Sequence, residues 1–125
     1  MRVCMDTSAL MMPVECDVRV FEELDRLLGG YEPVVPRAVL TELDGLADGG
    51  GEEATAASVG RDLAQRCAVL DHEESYADDA LVEVAHEGRC EYVVTNDQPL
   101  QERCLGEGVP VIGLRGRNKL AITQP

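Results

Sequence analysis

Short apolar runs alternate with amphipathic segments along this chain, a pattern typical of strands that alternate with helices. The predicted strands cover residues 2–5, 31–35, 68–70, 91–95 and 110–114. The predicted helices cover residues 17–28, 36–47, 52–67, 97–105 and a segment from 75 or 78 to 86 or 87. This order predicts an α/β fold, a three-layer α/β/α sandwich around a central parallel sheet of about five strands.

The chain has 125 residues, the length of one ordinary domain. We interpret residues 1–125 as a single domain, with the glycine-rich break at residues 49–51 as an internal loop and residues 115–125 as a basic C-terminal tail. No apolar run approaches the roughly 20 residues of a membrane span. The five cysteines are scattered and form neither a disulfide framework nor a zinc-site spacing. We therefore expect a cytoplasmic protein with no membrane partner.

Carboxylates stand where strands of the predicted sheet end. Asp6 follows the first strand and Asp97 follows the strand over residues 91–95. In open parallel sheets the functional crevice lies outside the carboxyl ends of the strands, so these two side chains are expected to meet there. Taken singly, each is equally well explained as a turn or capping residue. Together they form a candidate site.

Further acids fall on the predicted helices. Glu42 lies at the edge of an apolar stripe, where it either reaches the crevice or serves as an ordinary polar flank. Asp78 and Asp79 open the next helix, where the helix dipole alone favours acids. Helical spacing puts Asp78 nearer the buried face than Asp79.

Carboxylates gathered without compensation repel one another, and a divalent cation removes that penalty. Oxygen ligands suit Mg²⁺ or Mn²⁺ better than zinc, and such ions support hydrolysis of phosphodiesters. Whether one or two ions bind stays open. Other assignments fit less well, because the chain has no lysine after a late strand, no second aspartate two residues after Asp6 and no glycine-rich phosphate loop.

The charge balance limits how this protein can meet nucleic acid. Asp and Glu number 24 against 11 Lys and Arg, for a net charge of −13, which excludes broad neutralisation of phosphates. Aromatic residues make up 3%, which argues against an aromatic base-stacking platform. Lys119 is the only lysine, and the other ten basic residues are arginines. We interpret this composition as adaptation to a salt-rich (halophilic) cytosol, with a GC-rich genome as the alternative.

The chain resembles the PIN-domain ribonucleases in four short motifs that cover most of its length. The motifs are Asp6-Thr7-Ser8-Ala9-Leu10, Val39-Leu40-Thr41-Glu42-Leu43, Asp79-Ala80-Leu81 and Val93-Val94-Thr95-Asn96-Asp97. The longer stretches 76–82 and 90–97 are similar to the branch that processes small-subunit ribosomal RNA precursors. The VapC-like toxins of toxin–antitoxin pairs share the four acids and are near relatives.

This resemblance implies a Mg²⁺- or Mn²⁺-dependent endoribonuclease that acts on single-stranded or precursor ribosomal RNA, often as a homodimer. Three alternatives stay open: a toxin with an antitoxin partner, a non-catalytic RNA-binding PIN protein, and action on structured DNA. The implied catalytic and metal-binding residues are Asp6, Glu42, Asp79 and Asp97, with Asp78 as a further candidate ligand.

The resemblance also implies roles for neighbouring polar residues. Ser8 and Thr95 would hydrogen-bond and orient the carboxylates, and Asn96 would help to position the substrate. The only late basic cluster is expected either to contact RNA phosphates or to be a solvated tail. It consists of Arg115, Arg117 and Lys119.

Overall fold

The computed structural model describes residues 1–125, and its elements follow the predicted alternation. The strands are β1 (Arg2–Met5), β2 (Glu32–Pro36), β3 (Ala68–Leu70), β4 (Tyr92–Val94), β5 (Val111–Arg115) and β6 (Lys119–Thr123). The helices are α1 (Thr7–Glu15), α2 (Val20–Leu28), α3 (Arg37–Ala47), α4 (Gly51–Leu63), α5 (Ala77–His86) and α6 (Gln98–Gly106), with a 3₁₀ turn over Ala64–Arg66.

The six strands form one sheet in the order β3-β2-β1-β4-β5-β6. The first five are parallel, and β6 pairs antiparallel with β5. The chain moves from β1 towards one edge of the sheet and then returns to add β4 and β5 on the other side of β1. The strand order therefore reverses between β1 and β4, and a ligand crevice is expected at the carboxyl ends of these two strands.

Right-handed crossovers place α1–α4 on one face of the sheet and α5–α6 on the other. Contacts agree with this layering, since α4 packs against α1 and α3, and α5 packs against α6. The buried apolar side chains form one core cluster, which includes the strand residues Val3, Val34, Val93 and Ile112. The predicted α/β sandwich with a central parallel sheet is confirmed.

The structure differs from the prediction in three places. Helix α1 was missed, because most of its residues are buried and Pro13 lies inside it, so it shows no clear polar face. Helix α2 begins at Val20 rather than near Asp17, whose positive φ of 53° is not helical. Residues 115–125, predicted as a tail, include the end of β5 and all of β6.

A close approach of two helices sets the position of α1 on the sheet. A Cβ atom on Gly60 of α4 would lie 2.7 Å from the backbone oxygen of Leu10 in α1. Only a glycine permits this spacing, because that oxygen belongs to the backbone and cannot rotate away. The close approach matters for function, since α1 starts directly after Asp6 and carries Ser8.

No helix of this protein combines the length and apolarity that crossing a membrane requires.

We predict opposite effects for two glycine-to-alanine substitutions. Gly60→Ala should destabilise the protein by about 1–3 kcal/mol, because the added methyl group forces α1 and α4 apart. Gly45→Ala, in α3 with nothing within 4 Å of the added Cβ, should stabilise it by about 0.5–1 kcal/mol through helix propensity. Urea unfolding of both variants measures this. Equal effects of the two substitutions would contradict the proposed close packing.

Candidate functional site

Asp6 and Asp97 lie at neighbouring strand ends, at the reversal of strand order. Strand β1 pairs with β4, with Met5 opposite Val94, and the Asp6 amide donates to the Val94 carbonyl oxygen at 3.0 Å. Asp97 follows Val94 by three residues and is the N-cap of α6, where its side chain accepts a hydrogen bond from the Leu100 amide. The topology therefore brings together two acids that lie 91 positions apart in the sequence.

The Asp6 carboxylate is buried but receives two hydroxyl donors. It is 3% exposed, and its Oδ2 accepts hydrogen bonds from Thr95 Oγ1 at 2.7 Å and from Ser8 Oγ at 2.8 Å. Burial raises the pKa of Asp6, and these hydroxyl bonds oppose the increase. Both hydroxyls donate to the same oxygen, which leaves Oδ1 without a side-chain donor.

The same two hydroxyls also hold the loop that leads to Asp97. Thr95 Oγ1 accepts from the Asp97 amide at 3.1 Å, and Ser8 Oγ accepts from the Asn96 amide at 2.9 Å. Each hydroxyl thus donates to Asp6 and accepts from the backbone that follows β4. Asn96 itself is exposed beside this network. The network fixes Asp97 relative to Asp6.

A hollow of about 310 Å³ opens at this point of the sheet, and carboxylates dominate its lining. Six of its ten lining residues are acidic and none is basic. The lining consists of Asp6, Thr7, Ser8, Met11, Glu15, Glu42, Leu46, Glu53, Asp78 and Asp97. The hollow therefore concentrates negative charge with no cation inside it.

Asp78, rather than Asp79, reaches the hollow. Burial, followed by the charges of Asp6 and Asp97, raises the pKa of Asp78, so the three acids interact. Asp79 instead accepts a hydrogen bond from Arg103 at 3.0 Å and lines a separate cavity between α5 and α6. The resemblance implies Asp79 as a ligand, but this structure does not bring its carboxylate to the hollow, because adjacent helical residues point about 100° apart.

Three polar lining residues were missed from the sequence. Glu15 ends α1, a helix that the pattern did not reveal, and Glu53 lies in the first turn of α4, where an acid is explained by the helix dipole alone. Thr7 is 6% exposed, and its Oγ1 is buried with no hydrogen-bond partner. No local signal in the sequence distinguishes these residues from ordinary helix-end positions.

The hollow suits a hard divalent cation. After burial, the charges of Asp6 and Asp97 raise the pKa of Asp78 and the charge of Glu42 raises that of Asp6, and a cation would remove this repulsion. The unpartnered Thr7 hydroxyl leaves a polar group that a bound ion or its water would satisfy. No three His, Cys, Asp or Glu side chains are close enough, as they stand, to enclose an ion. Side chains at the open rim, such as Glu42, would have to turn inwards to complete a ligand set.

A basic hairpin stands at the same edge of the sheet as the hollow. Val94, the last residue of β4, pairs with Ile112, and β5 continues to Arg115, about 10 Å beyond that pair. Arg115 is opposite Lys119 across the turn that contains Arg117. These three exposed residues form the basic hairpin.

The basic hairpin holds the cations that the rest of the chain leaves without carboxylate partners. Seven arginines form ion pairs, and an eighth, Arg66, lies 4.9 Å from the centre of the Phe21 ring. None of the three hairpin cations has a carboxylate within 4.0 Å. Positive charge is thus available at the carboxyl end of β5 although the net charge is −13, and the charge of Lys119 also helps to lower the pKa of Glu23 in α2.

Comparison with known proteins gives a consistent family match. The profile described as "PIN like domain" matches residues 3–117. The chain is 26% identical over 125 residues to "Ribonuclease VapC4" of Methanocaldococcus jannaschii, covering 97% of this chain and 95% of that protein. It is 28% identical over 117 residues to "rRNA-processing protein FCF1" of Saccharomyces cerevisiae, covering 92% of this chain and 60% of that protein.

A solved structure agrees with this match. "Structure of the PIN domain endonuclease Utp24" superposes with a TM-score of 0.80 at 26% identity, covering 99% of this chain and 92% of that one. A domain of a functionally unknown protein from Methanocaldococcus jannaschii, at 21% identity and a TM-score of 0.68, shares the fold. The resemblance in the sequence motifs and the similarity in structure thus lead to the same family.

We predict that Asp78→Asn and Asp79→Asn change stability in opposite directions without divalent cations. Asp78→Asn should raise the melting temperature by about 2 °C at pH 7, because it removes one charge from the hollow. Asp79→Asn removes the charge that pairs with Arg103 and should lower the melting temperature slightly.

The pH dependence gives this comparison a control. Folded Asp78 holds its proton more tightly than the unfolded chain does, since its pKa is raised from 3.8. Wild-type stability from this group is therefore lost as the pH rises through the raised pKa, and the advantage of Asn should vanish in acid. Calorimetry from pH 3 to pH 7 measures both variants. A pH-independent gain would contradict charge repulsion as the cause.

Proposed function

We propose, from the premise that this chain belongs to the PIN like domain family, that it is an endoribonuclease dependent on Mg²⁺ or Mn²⁺. The observation that carries the proposal is the hollow at the β1–β4 strand ends, which Asp6, Asp78 and Asp97 line together and which no basic side chain lines. The relatives named a ribonuclease and an endonuclease support the reaction class.

We assign the metal to Asp6, Asp78 and Asp97, with Glu42 completing the set from α3. When bound, the ion would neutralise charge on the phosphodiester and lower the pKa of a water molecule. Asp79 is left out of the ligand set, because its carboxylate is paired with Arg103. Glu15 and Glu53 would add negative charge at the rim.

Ser8 and Thr95 would act as positioning residues. Their hydroxyls direct hydrogen atoms to Asp6 Oδ2, which favours the ionised carboxylate that a metal needs despite its burial. Their second hydrogen bonds, to the amides of Asn96 and Asp97, keep that loop in place. We place the exposed Asn96 beside the substrate strand.

The basic hairpin would contact the phosphates of the RNA. Its cations have no carboxylate partners, and it projects from the sheet edge that carries the hollow. A strand bound across this edge would meet positive charge on one side and the metal in the hollow. This arrangement provides local phosphate contacts in a protein whose overall charge opposes broad RNA binding.

We propose precursor ribosomal RNA as the substrate and the cytoplasm as the place of action. The similarity to the rRNA-processing protein FCF1 supports this choice, although the chain spans only 60% of that protein's length. The toxin alternative is supported by the match to VapC4, which covers 95% of that protein. End-mapping of precursor ribosomal RNA, compared with growth arrest upon expression, separates the two roles.

We predict that cleavage requires the carboxylates of the hollow. With Mn²⁺ and a single-stranded RNA, Asp6→Asn and Asp97→Asn should each lose more than about 100-fold in activity, since removing a mere hydrogen-bond partner of a metal ligand already costs about 10- to 100-fold. Asp78→Asn should lose activity similarly, whereas Asp79→Asn should stay within a few fold of wild type. Initial rates of oligonucleotide cleavage measure this.

The matched Asp78 and Asp79 variants decide the assignment. An inactive Asp79→Asn protein beside a fully active Asp78→Asn protein would refute our ligand set. Thermal shifts with Mn²⁺ test the metal separately from turnover, because a bound ion stabilises the folded state. Stabilisation by Mn²⁺ in a protein that cleaves no RNA would support the non-catalytic alternative.

We predict that the basic hairpin supplies much of the affinity for phosphate. Replacing Arg115, Arg117 and Lys119 with Gln should weaken RNA binding. It should also reduce the slope of log binding constant against log salt concentration by about 0.7 for each phosphate that is no longer neutralised. Arg2→Gln with Arg89→Gln is the control, because these paired arginines lie at the amino ends of β1 and β4. Fluorescence anisotropy over a salt series measures both. An unchanged salt slope in the hairpin variant would show that the hairpin does not contact RNA phosphates and is a solvated turn.

A further inference from the structure

We propose that Tyr76 stacks on an unpaired base of the RNA next to the cleaved phosphodiester, an inference that rests on the proposed ribonuclease function. Tyr76 is 76% exposed, the most open large apolar side chain in the structure. It lies two residues before Asp78, which lines the hollow. The exposed ring is thus carried by the segment that leads directly into a carboxylate of the hollow.

The other aromatic side chains are occupied within the fold. The Tyr31 hydroxyl donates to the Phe21 carbonyl oxygen at 3.2 Å, and the guanidinium of Arg66 covers the Phe21 ring. Tyr92 is half-buried in β4, packed against the core. Tyr76 has no hydrogen-bond or cation–π partner, so its exposed ring serves no contact inside this chain.

The backbone holds Tyr76 in place while its ring stays free. Tyr76 is the N-cap of α5, and its carbonyl oxygen accepts a hydrogen bond from the Ala80 amide at 2.8 Å. The Tyr76 and Asp78 backbones are separated by at most about 7 Å, because two residues span no more than that even when fully extended. This distance corresponds to about two steps of about 3.4 Å between successive nucleotides of a stacked strand. A base on Tyr76 would thus lie within one or two nucleotides of the hollow.

Stacking on a single ring agrees with the scarcity of aromatic residues. Low aromatic content argues against a stacking platform, and the structure shows one free aromatic ring, that of Tyr76. Aromatic rings bind the face of any base, so this interaction would select unpaired bases rather than a sequence. In a duplex the base faces are already stacked on their neighbours. Tyr76 would therefore favour single-stranded RNA at the cleavage point.

The test uses the full chain with Mn²⁺ and a labelled single-stranded RNA of about ten nucleotides. Tyr76→Ala should weaken binding and raise KM about tenfold, whereas Tyr76→Phe, which keeps the ring, should behave as wild type. Val69→Ala is the matched control, because Val69 is 41% exposed on the edge strand β3, outside the site. It should leave binding and cleavage unchanged.

A scan with abasic nucleotides identifies the stacked base itself. One abasic position should weaken RNA binding by the wild-type protein about tenfold. The same abasic position should not weaken binding by Tyr76→Ala further, because that variant already lacks the stacking partner. Full binding and cleavage by Tyr76→Ala, or additive losses at every abasic position, would overturn the stacking interaction and leave the ribonuclease proposal standing. A wild-type protein that neither binds nor cleaves the RNA would overturn both.

Discussion

The candidate site depends on the hydrogen bonds that join Thr95 and Ser8 to the buried Asp6 carboxylate. An isolated carboxylate at 3% exposure would be driven towards its neutral form, and the two hydroxyls work against that change. Thr95 follows β4, whereas Ser8 and Asp6 follow β1, so these bonds exist only when the two strands pair in their observed register. The same hydroxyls accept the amides that lead to Asp97. Pairing of β1 with β4 in this register therefore also forms the hydrogen bonds that position Asp6 and Asp97.

Charge is distributed unevenly over the molecule, and the distribution serves the proposed function at a cost in stability. Arginines pair with carboxylates elsewhere, as Arg61 does with Asp44, but no cation enters the hollow. Burial and the charges of Asp6 and Asp97 raise the pKa of Asp78, and the nearby Arg103 opposes this increase only in part. Sites of this kind are commonly less stable than the rest of a fold, because the arrangement suits a ligand that the chain alone does not supply. The neighbouring ion pair of Arg103 with Asp79 confines one acid to the outside of the hollow.

The sequence was sufficient to predict the strand alternation and the convergence of Asp6 with Asp97, because position after a parallel strand fixes the edge on which a residue lies. The sequence motif was insufficient to decide whether Asp78 or Asp79 faces the hollow, because a short motif does not resolve the 100° rotation between adjacent helical residues. Helical spacing by itself favoured Asp78. Helix α1 and Glu15 were missed because a helix buried on most sides lacks an amphipathic period. Strand β6 was missed although Leu120, Ala121 and Ile122 are apolar, because the cations on either side of the turn favoured the interpretation of a solvated tail.

The balance of forces on RNA follows from these placements. In the proposed RNA complex, the three hairpin cations would provide few phosphate contacts, and each contact would weaken as the salt concentration rises. At high salt, electrostatic attraction is screened within a few ångströms, and the net charge of −13 repels RNA less for the same reason. Base stacking does not depend on ionic attraction, so the share of binding carried by Tyr76 should grow as the hairpin's share falls. Neither the hairpin nor Tyr76 reads a base sequence, and selection of one cleavage point would then depend on where a folded RNA presents an unpaired strand.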